Sequence, residues 1–201
     1  MDNYESWVIA SHTLEYFDDI HQYLVDGICV PSITQMLKLR FKNKYSMVDR
    51  VTLERASTRG TEVHNAIEKY CITGIEEDLK EVKNFKFLQK QYNFDVVGNE
   101  IPVILFKYDV PISAGRLDLV LSMDGKIGGG DIKRTSTLDK NYLAYQLNLY
   151  RIAYRQCYGI EWQFLRGLHL REDVRKFVPI PINEEMAIEL VNEYLKENNN
   201  E

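Results

Sequence analysis

The apolar positions change period along the chain, and each change marks an element. Over residues 14–30 apolar and polar residues alternate as in a half-buried strand, with a turn at Asp26-Gly27 or just before it, which predicts two short strands. Pro31-Ser32 then opens a helix. Ser32 and Gln35 have capping-box spacing, in which hydroxyl and amide each satisfy a free backbone group. Helical spacing over about 48–72 predicts a longer helix that stops near Gly74. Residues 76–92 predict another, rich in Glu and Lys, with Val82, Phe85, Leu88 and Gln89 around one side. Alternation returns at about 96–107, 112–123 and 126–135, and Asp124-Gly125 between the last two is a hairpin turn signal. Leu143, Leu147, Tyr150 and Tyr154 recur at three- and four-residue steps, so residues 140–158 read as a helix with one buried face, closed by Gly159. Strands at about 162–171 and 174–180 and a helix from Asn183 follow, ending in a polar tail expected to fray.

This order predicts an α/β fold, a mixed central β-sheet flanked by helices, with an N-terminal β-hairpin and helices. There is no repeat, low-complexity run or linker, so residues 1–201 read as a single domain. Its core covers about 48–180, with the N-terminal hairpin and helix at 14–45 and the C-terminal helix at 183–197. No apolar run approaches the roughly 20 residues that cross a bilayer. The start, Met1-Asp2-Asn3-Tyr4-Glu5, lacks the basic and apolar regions of a secretory signal. These features predict no membrane partner and a cytoplasmic location. Cys29, Cys71 and Cys157 are widely spaced, with no Cys-x-x-Cys pair. They read as small buried thiols in a reducing cell rather than as ligands of a zinc or iron–sulfur centre.

The net charge of −5 argues against broad nucleic-acid affinity, which rests on neutralising phosphates. The charge is uneven, however. Lys38, Arg40, Lys42, Lys44, Arg50, Arg55 and Arg59 lie close together with only Asp49 and Glu54 among them. That run is either a solvated helix surface or a local basic face within an acidic whole.

The candidate chemistry is concentrated in the predicted hairpin. Asp118 lies between Leu117 and Leu119, and a carboxylate in so apolar a strand needs a partner. Asp131 and Lys133, two apart, share a strand face, and the hairpin can bring Asp118 onto it. An ordinary salt bridge from Lys133 to either aspartate explains a lone Asp-x-Lys. Two carboxylates at hairpin spacing point further, to a divalent cation with a lysine beside it. Gly128-Gly129-Gly130 reads as room for a close approach of backbone or ligand. Three more elements can join this site. His64 lies in a helix, with Glu68 one turn on. Glu100 is on the strand before the hairpin. Gln146 and Tyr150 share a helix face, where the amide at the edge of the apolar stripe must find hydrogen bonds. Each taken singly is also explained by packing.

In order these are Gly60-x-x-x-His64 on a helix, Glu100 on a strand, Gly115-Arg116-Leu117-Asp118 on the next, Asp131-x-Lys133 on the third, and Gln146-x-x-x-Tyr150 on the following helix. The series resembles the PD-(D/E)XK nuclease superfamily, in its RecB-like branch, from about Pro31 to Tyr150. The stretch Val30-Pro31-Ser32-Ile33-Thr34-Gln35-Met36-Leu37 also looks like the start of phage-type and mitochondrial-genome-maintenance-type exonucleases of that branch. The resemblance implies a restriction-endonuclease-like αβββαβ core. It implies a Mg²⁺ or Mn²⁺ held by His64, Asp118, Asp131 and the Ile132 carbonyl, with Glu100 a further candidate. Lys133 is then the catalytic lysine, and Gln146 and Tyr150 orient DNA or the site. Lys133 either handles the attacking water or offsets charge on the phosphate. The four cysteines of iron–sulfur relatives are absent from this chain, so no cluster is expected.

The function so implied is an exodeoxyribonuclease of phage or bacterial DNA recombination, replication or repair, in a bacterial or phage-infected cell. The alternatives are a structure-specific or single-strand endonuclease, or a non-catalytic DNA-binding module that keeps the fold. The expected partners are single- or double-stranded DNA ends and a single-strand annealing or binding protein. Lys38, Arg40, Lys42, Lys44, Arg55, Arg59, Arg116 and Arg134 are the candidate DNA contacts.

Overall fold

A computed structural model describes residues 4–42 and 48–198. The first unit of the chain is larger than the expected hairpin. It is a four-stranded antiparallel meander of β1 (Tyr4–Ile9), β2 (His12–Phe17), β3 (Gln22–Val25) and β4 (Ile28–Val30). The Asp26-Gly27 turn is present, at φ 52° and 78°. The β1–β2 turn uses Ala10 and Ser11 at φ 49° and 69°, residue types that give no turn signal in the left-handed region. Ser32 caps α1 (Ile33–Met36) with the expected capping box, and the chain runs on into a 3₁₀ turn at Leu37–Leu39.

Next comes α2 (Arg50–Thr73), whose N-cap Asp49 side chain accepts from the Thr52 amide at 2.9 Å. Gly74 ends it in the left-handed conformation, φ 72°, which glycine adopts without penalty. α3 (Lys80–Tyr92) leads into the main sheet, of order β5-β6-β7-β8-β9. β5 (Phe94–Lys107), β6 (Val110–Met123) and β7 (Lys126–Lys133) form an antiparallel run. α4 (Lys140–Tyr158) crosses over to β8 (Phe164–Leu170), which pairs parallel with β7. β9 (Arg175–Ile180) and α5 (Glu184–Asn198) complete the chain.

The sheet is covered on both faces. Leu143, Leu147 and Tyr150 of α4 and Leu190 of α5 pack with Val103, Leu117 and Val120 on one side. Val63 and Ile67 of α2 and Phe85 of α3 pack with Leu119, Leu121 and Ile132 on the other. The meander adds a third cluster, in which Leu14, Tyr23, Val25 and Val30 meet Ile104 and Ala114 of the main sheet. The Pro31 carbonyl ties the two sheets, accepting from the Ala114 amide at 3.1 Å and from the Ser113 hydroxyl at 2.9 Å.

Two expectations change here. A Cβ on Gly128 would lie 2.4 Å from the Phe164 carbonyl oxygen, and one on Gly129 would lie 2.1 Å from the Trp162 ring. The glycine run therefore makes room for core packing at the far end of β7, not for a ligand. Cys29 is exposed rather than buried, and Cys71 and Cys157 are half-buried.

Candidate functional site

Strand register lines up three carboxylates. Asn99 pairs with Leu119 and Ile101 with Leu117, which sets Glu100 across from Asp118. Leu119 pairs with Gly130, so the next step of the ladder sets Asp118 across from Asp131. Three acidic side chains in a row on adjacent strands repel one another unless each finds a partner. Each finds a different one. An Asp118 Oδ2 accepts from the Ile132 amide at 2.7 Å, so the side chain takes the place of a ladder bond. Glu100 Oε2 lies 3.5 Å from Arg116 Nε. Asp131, 2% exposed, has Lys133 Nζ 2.6 Å from its Oδ2, off the hydrogen-bonding direction, which leaves that buried oxygen without an aligned donor.

α2 delivers His64 to this row. Its Nδ1 is 3.7 Å from Asp118 Oδ2 and 3.9 Å from Glu100 Oε1, and its Nε2 is 3.1 Å from the Ile132 carbonyl. One ligand atom from each of His64, Glu100 and Asp118 lies within 4.8 Å of the others, a spacing a single cation can span. The expected ligands thus divide. His64, Glu100 and Asp118 converge, Asp131 sits beside them paired with Lys133, and the Ile132 carbonyl faces His64. Glu100 reaches the cluster from φ 45°, a left-handed backbone that costs a non-glycine residue on the order of 1 kcal/mol. Strain of that kind persists where the surrounding structure demands it.

The electrostatics follow from burial and neighbours. Burial works against charge on His64, but Asp118 and Glu100 outweigh it and lift the imidazole to about 9. The metal-free ring is then an imidazolium, which donates Nε2–H to the Ile132 carbonyl and turns Nδ1–H toward the two carboxylates. Burial raises Asp131 to about 6, with Lys133 pulling against it. Burial also opposes the charge on Lys133, yet Asp131 and Asp118 hold it above its ordinary value. The short ammonium–carboxylate contact keeps the lysine protonated at neutral pH.

Gln146 and Tyr150, both 5% exposed, reach the same place from α4. Gln146 Oε1 is buried without a hydrogen-bond partner, and it lines a cleft of about 910 Å³ with Glu100, Asp118, Gly115 and Tyr150. A Cβ on Gly115 would lie 3.1 Å from the Tyr150 hydroxyl, so the glycine before Arg116 is set by this tyrosine. Burial holds the Tyr150 hydroxyl well above its ordinary value, in its neutral form.

The candidate DNA contacts do not fall in one place. Lys38, Lys42 and Arg116 line the cleft. Arg40 is tied to Glu193 and to the Tyr145 hydroxyl, 3.1 Å away. Arg59 and Arg134 both bind Glu81, at 3.3 and 2.7 Å. Arg55 lies on an exposed part of α2 away from the cleft, and Lys44 lies outside the described residues. Arg116 also holds Glu5 of β1 at 2.7 Å and lies over the Tyr16 ring, 5.1 Å from its centroid.

Three sets of residues were not legible in the sequence. Glu81 is fully buried, but it begins a helix rich in Glu and Lys and looks solvated there. Tyr16 and Tyr23, stacked at 4.6 Å, wall the cleft from a meander whose first strand carried no pattern. Phe41 and Tyr142 meet only through tertiary contact.

No protein-family model and no curated protein matches this chain. Among solved structures, one described as the crystal structure of SSO0001 is similar, at 14% identity over 83% of this chain and 75% of that one, with a TM-score of 0.47.

Proposed function

We propose that this protein is a metal-dependent deoxyribonuclease of the PD-(D/E)XK type that acts on DNA ends. The observation that carries the reading is the row Glu100, Asp118 and Asp131 across three strands, with His64 at one end and Lys133 at the other. The element order supports it too, since α2, β5–β7, α4 and β8 run in the αβββαβ sequence with α3 and β9 added.

The donor set fits the cation. One imidazole nitrogen and carboxylate oxygens suit Mn²⁺, and the carboxylates suit Mg²⁺. His64, Glu100 and Asp118 would hold it, and the Asp131 oxygen beside Lys133, which lacks an aligned hydrogen bond, is a fourth donor. Such an ion, when bound, polarises a phosphodiester and lowers the pKa of a bound water. Lys133, held in its charged form, is suited to offset charge building on the phosphate rather than to take a proton. Gln146 offers its free acceptor to a water or to the substrate. Tyr150, neutral and packed on Gly115, fixes the cleft floor.

The test is digestion of end-labelled linear DNA with Mg²⁺ or Mn²⁺. Asp118→Asn and Lys133→Met should each lower the rate by about 100-fold or more. Metal-dependent cleavage that survives both substitutions sinks the assignment. Closed circular DNA separates the modes, since an exonuclease leaves it intact and an endonuclease opens it. Metal-stimulated DNA binding without turnover supports the binding module instead.

A further inference from the structure

β8 carries none of the residues picked out in the sequence, yet it pairs with the strand that carries Asp131 and Lys133. The two strands are parallel, with Asp131 opposite Gly167 and Lys133 opposite His169. Residues opposite one another on paired strands point to the same face. At Gly167 that face is the one under α4, since a Cβ there would lie 2.5 Å from Leu143 Cδ2 and 3.6 Å from Leu138 Cδ2. Leu143 belongs to α4, and Leu138 to the turn that leads into it. The missing side chain therefore lets this turn close over β8 beside Asp131. The turn, residues 134–139, joins the strand of Asp131 and Lys133 to the helix of Gln146 and Tyr150.

His169 is 4% exposed, and its Nε2 lies 2.7 Å from the Thr135 carbonyl oxygen. A carbonyl only accepts, so Nε2 carries the hydrogen and donates it. Lys133 and His169 are the last pair of the β7–β8 ladder, where a strand frays unless the chain beyond it is tied. That chain is tied residue by residue. Glu81 takes Arg134 at 2.7 Å, His169 takes the Thr135 carbonyl, and the Thr135 hydroxyl donates to the Thr137 carbonyl at 2.8 Å. Of these bonds, the one from His169 comes from the ladder partner of Lys133 itself. The Lys133 ammonium meets Asp131 Oδ2 at 2.6 Å but off the hydrogen-bonding direction. A contact that no directional bond fixes depends on where the lysine backbone is held.

We propose that His169 is a positioning residue for the candidate centre. Its Nε2–H, bonded to the Thr135 carbonyl, pins the end of β7 so that the Lys133 ammonium stays against Asp131. The same bond sets the turn from which α4 carries Gln146 to the cleft. His169 acts through Lys133 and takes no part in the chemistry itself. Its place in a reaction rests on the nuclease reading, whereas the pin does not.

Two variants test it. His169→Leu removes the donor and keeps an apolar filler, while His169→Gln brings an amide N–H to the place of Nε2. In digestion of end-labelled linear DNA with Mn²⁺, His169→Leu should lower kcat by about 10-fold or more, the scale of losing a support behind a site residue, with KM for DNA unchanged. His169→Gln should recover most of that kcat. Hydrogen–deuterium exchange of the metal-free protein is read on peptides spanning residues 134–141. It should be faster in His169→Leu and close to wild type in His169→Gln, with β5 and β6 unchanged in both. A loss of kcat that His169→Gln does not recover overturns the proposal, as does unchanged exchange at 134–141. So does faster exchange through the whole sheet, the mark of a merely structural residue. The two readings fail separately. If the wild-type protein cleaves no DNA, the nuclease reading falls and exchange alone decides the pin. If it cleaves and His169→Leu cleaves equally well, the positioning role falls and the nuclease stands.

Discussion

His64 joins the acid–base behaviour of the site to the proposed metal chemistry. In the metal-free protein it is a cation clamped by two carboxylates and a carbonyl, raised from 6.5 to about 9. A group raised on folding stabilises fully below its unfolded value, and the contribution is lost as pH climbs through the folded one. The window therefore runs from about pH 6.5 to 9 and is on the order of 3 kcal/mol, roughly 10 °C in Tm. Asp131, raised from 3.8 to about 6, likewise loses its contribution as pH climbs, but between about 4 and 6, so the two windows do not overlap. Melting of EDTA-treated protein should show Tm falling across pH 6.5–9, and His64→Gln should flatten that slope. A wild-type profile as flat as the variant's removes the imidazolium clamp. A metal must displace this proton, so cation affinity should rise over the same window. Much of this was legible in the sequence. Asp118, Asp131 and Lys133 are local to one hairpin, and register follows from the Asp124-Gly125 turn. Less legible was which carboxylate meets His64, because a contact between α2 and β5 leaves no spacing in the chain.

At the scale of elements, the helix limits were the most readable feature. α4 starts after Asp139, whose side chain caps the Tyr142 amide at 2.9 Å, and ends at Gly159, φ 69°. Each end is fixed by residues next to it, so a local reading finds it. The fastening of α3 is not local. Glu81 in its first turn is fully buried, with Arg134 of the chain beyond β7 at 2.7 Å and Arg59 of α2 at 3.3 Å. One carboxylate thus joins two helices to the end of the strand that carries Asp131 and Lys133. Removing it takes the buried counter-charge from two partly buried guanidinium groups and leaves Arg59 only the exposed Glu62 at 2.7 Å and Arg134 only the exposed Glu172 at 3.8 Å, a change that costs about 3 kcal/mol. Glu81→Gln should therefore lower Tm by roughly 10 °C. Arg59→Gln with Glu81 intact should cost less, because Arg134 remains. Equal losses in the two variants mean that the carboxylate is not the centre of the network. The same network explains why the basic run 38–59 only partly lines the cleft: charge along a sequence does not reveal a buried acid 22 residues further on.

At the scale of the molecule, the question is whether the meander is an appendage or part of the core. Its outer residues, such as Val8 at 80% exposed and Ile28 at 71%, look like those of an independent small sheet. Its inner residues do not. Leu14, Tyr23, Val25 and Val30 share one cluster with Ile104 and Ala114, and they have no second layer of their own. A four-stranded sheet with one apolar face is not stable alone until that face is covered. Arg116 adds an ionic tie from β6 to Glu5, and the Pro31 carbonyl adds two hydrogen bonds. Stability should therefore be lost in one step. Calorimetry should give a single transition with equal calorimetric and van't Hoff enthalpies, and a heat-capacity change of about 2.4–3 kcal/mol/K, at 12–15 cal/mol/K for each of 201 residues. Leu14→Ala, at a fully buried position, should cost about 2–5 kcal/mol and lower that single transition as a whole. If it instead splits the trace and leaves a later transition at the wild-type temperature, the meander folds separately. The wall that Tyr16 and Tyr23 give to the cleft would then be a docked surface rather than part of the core.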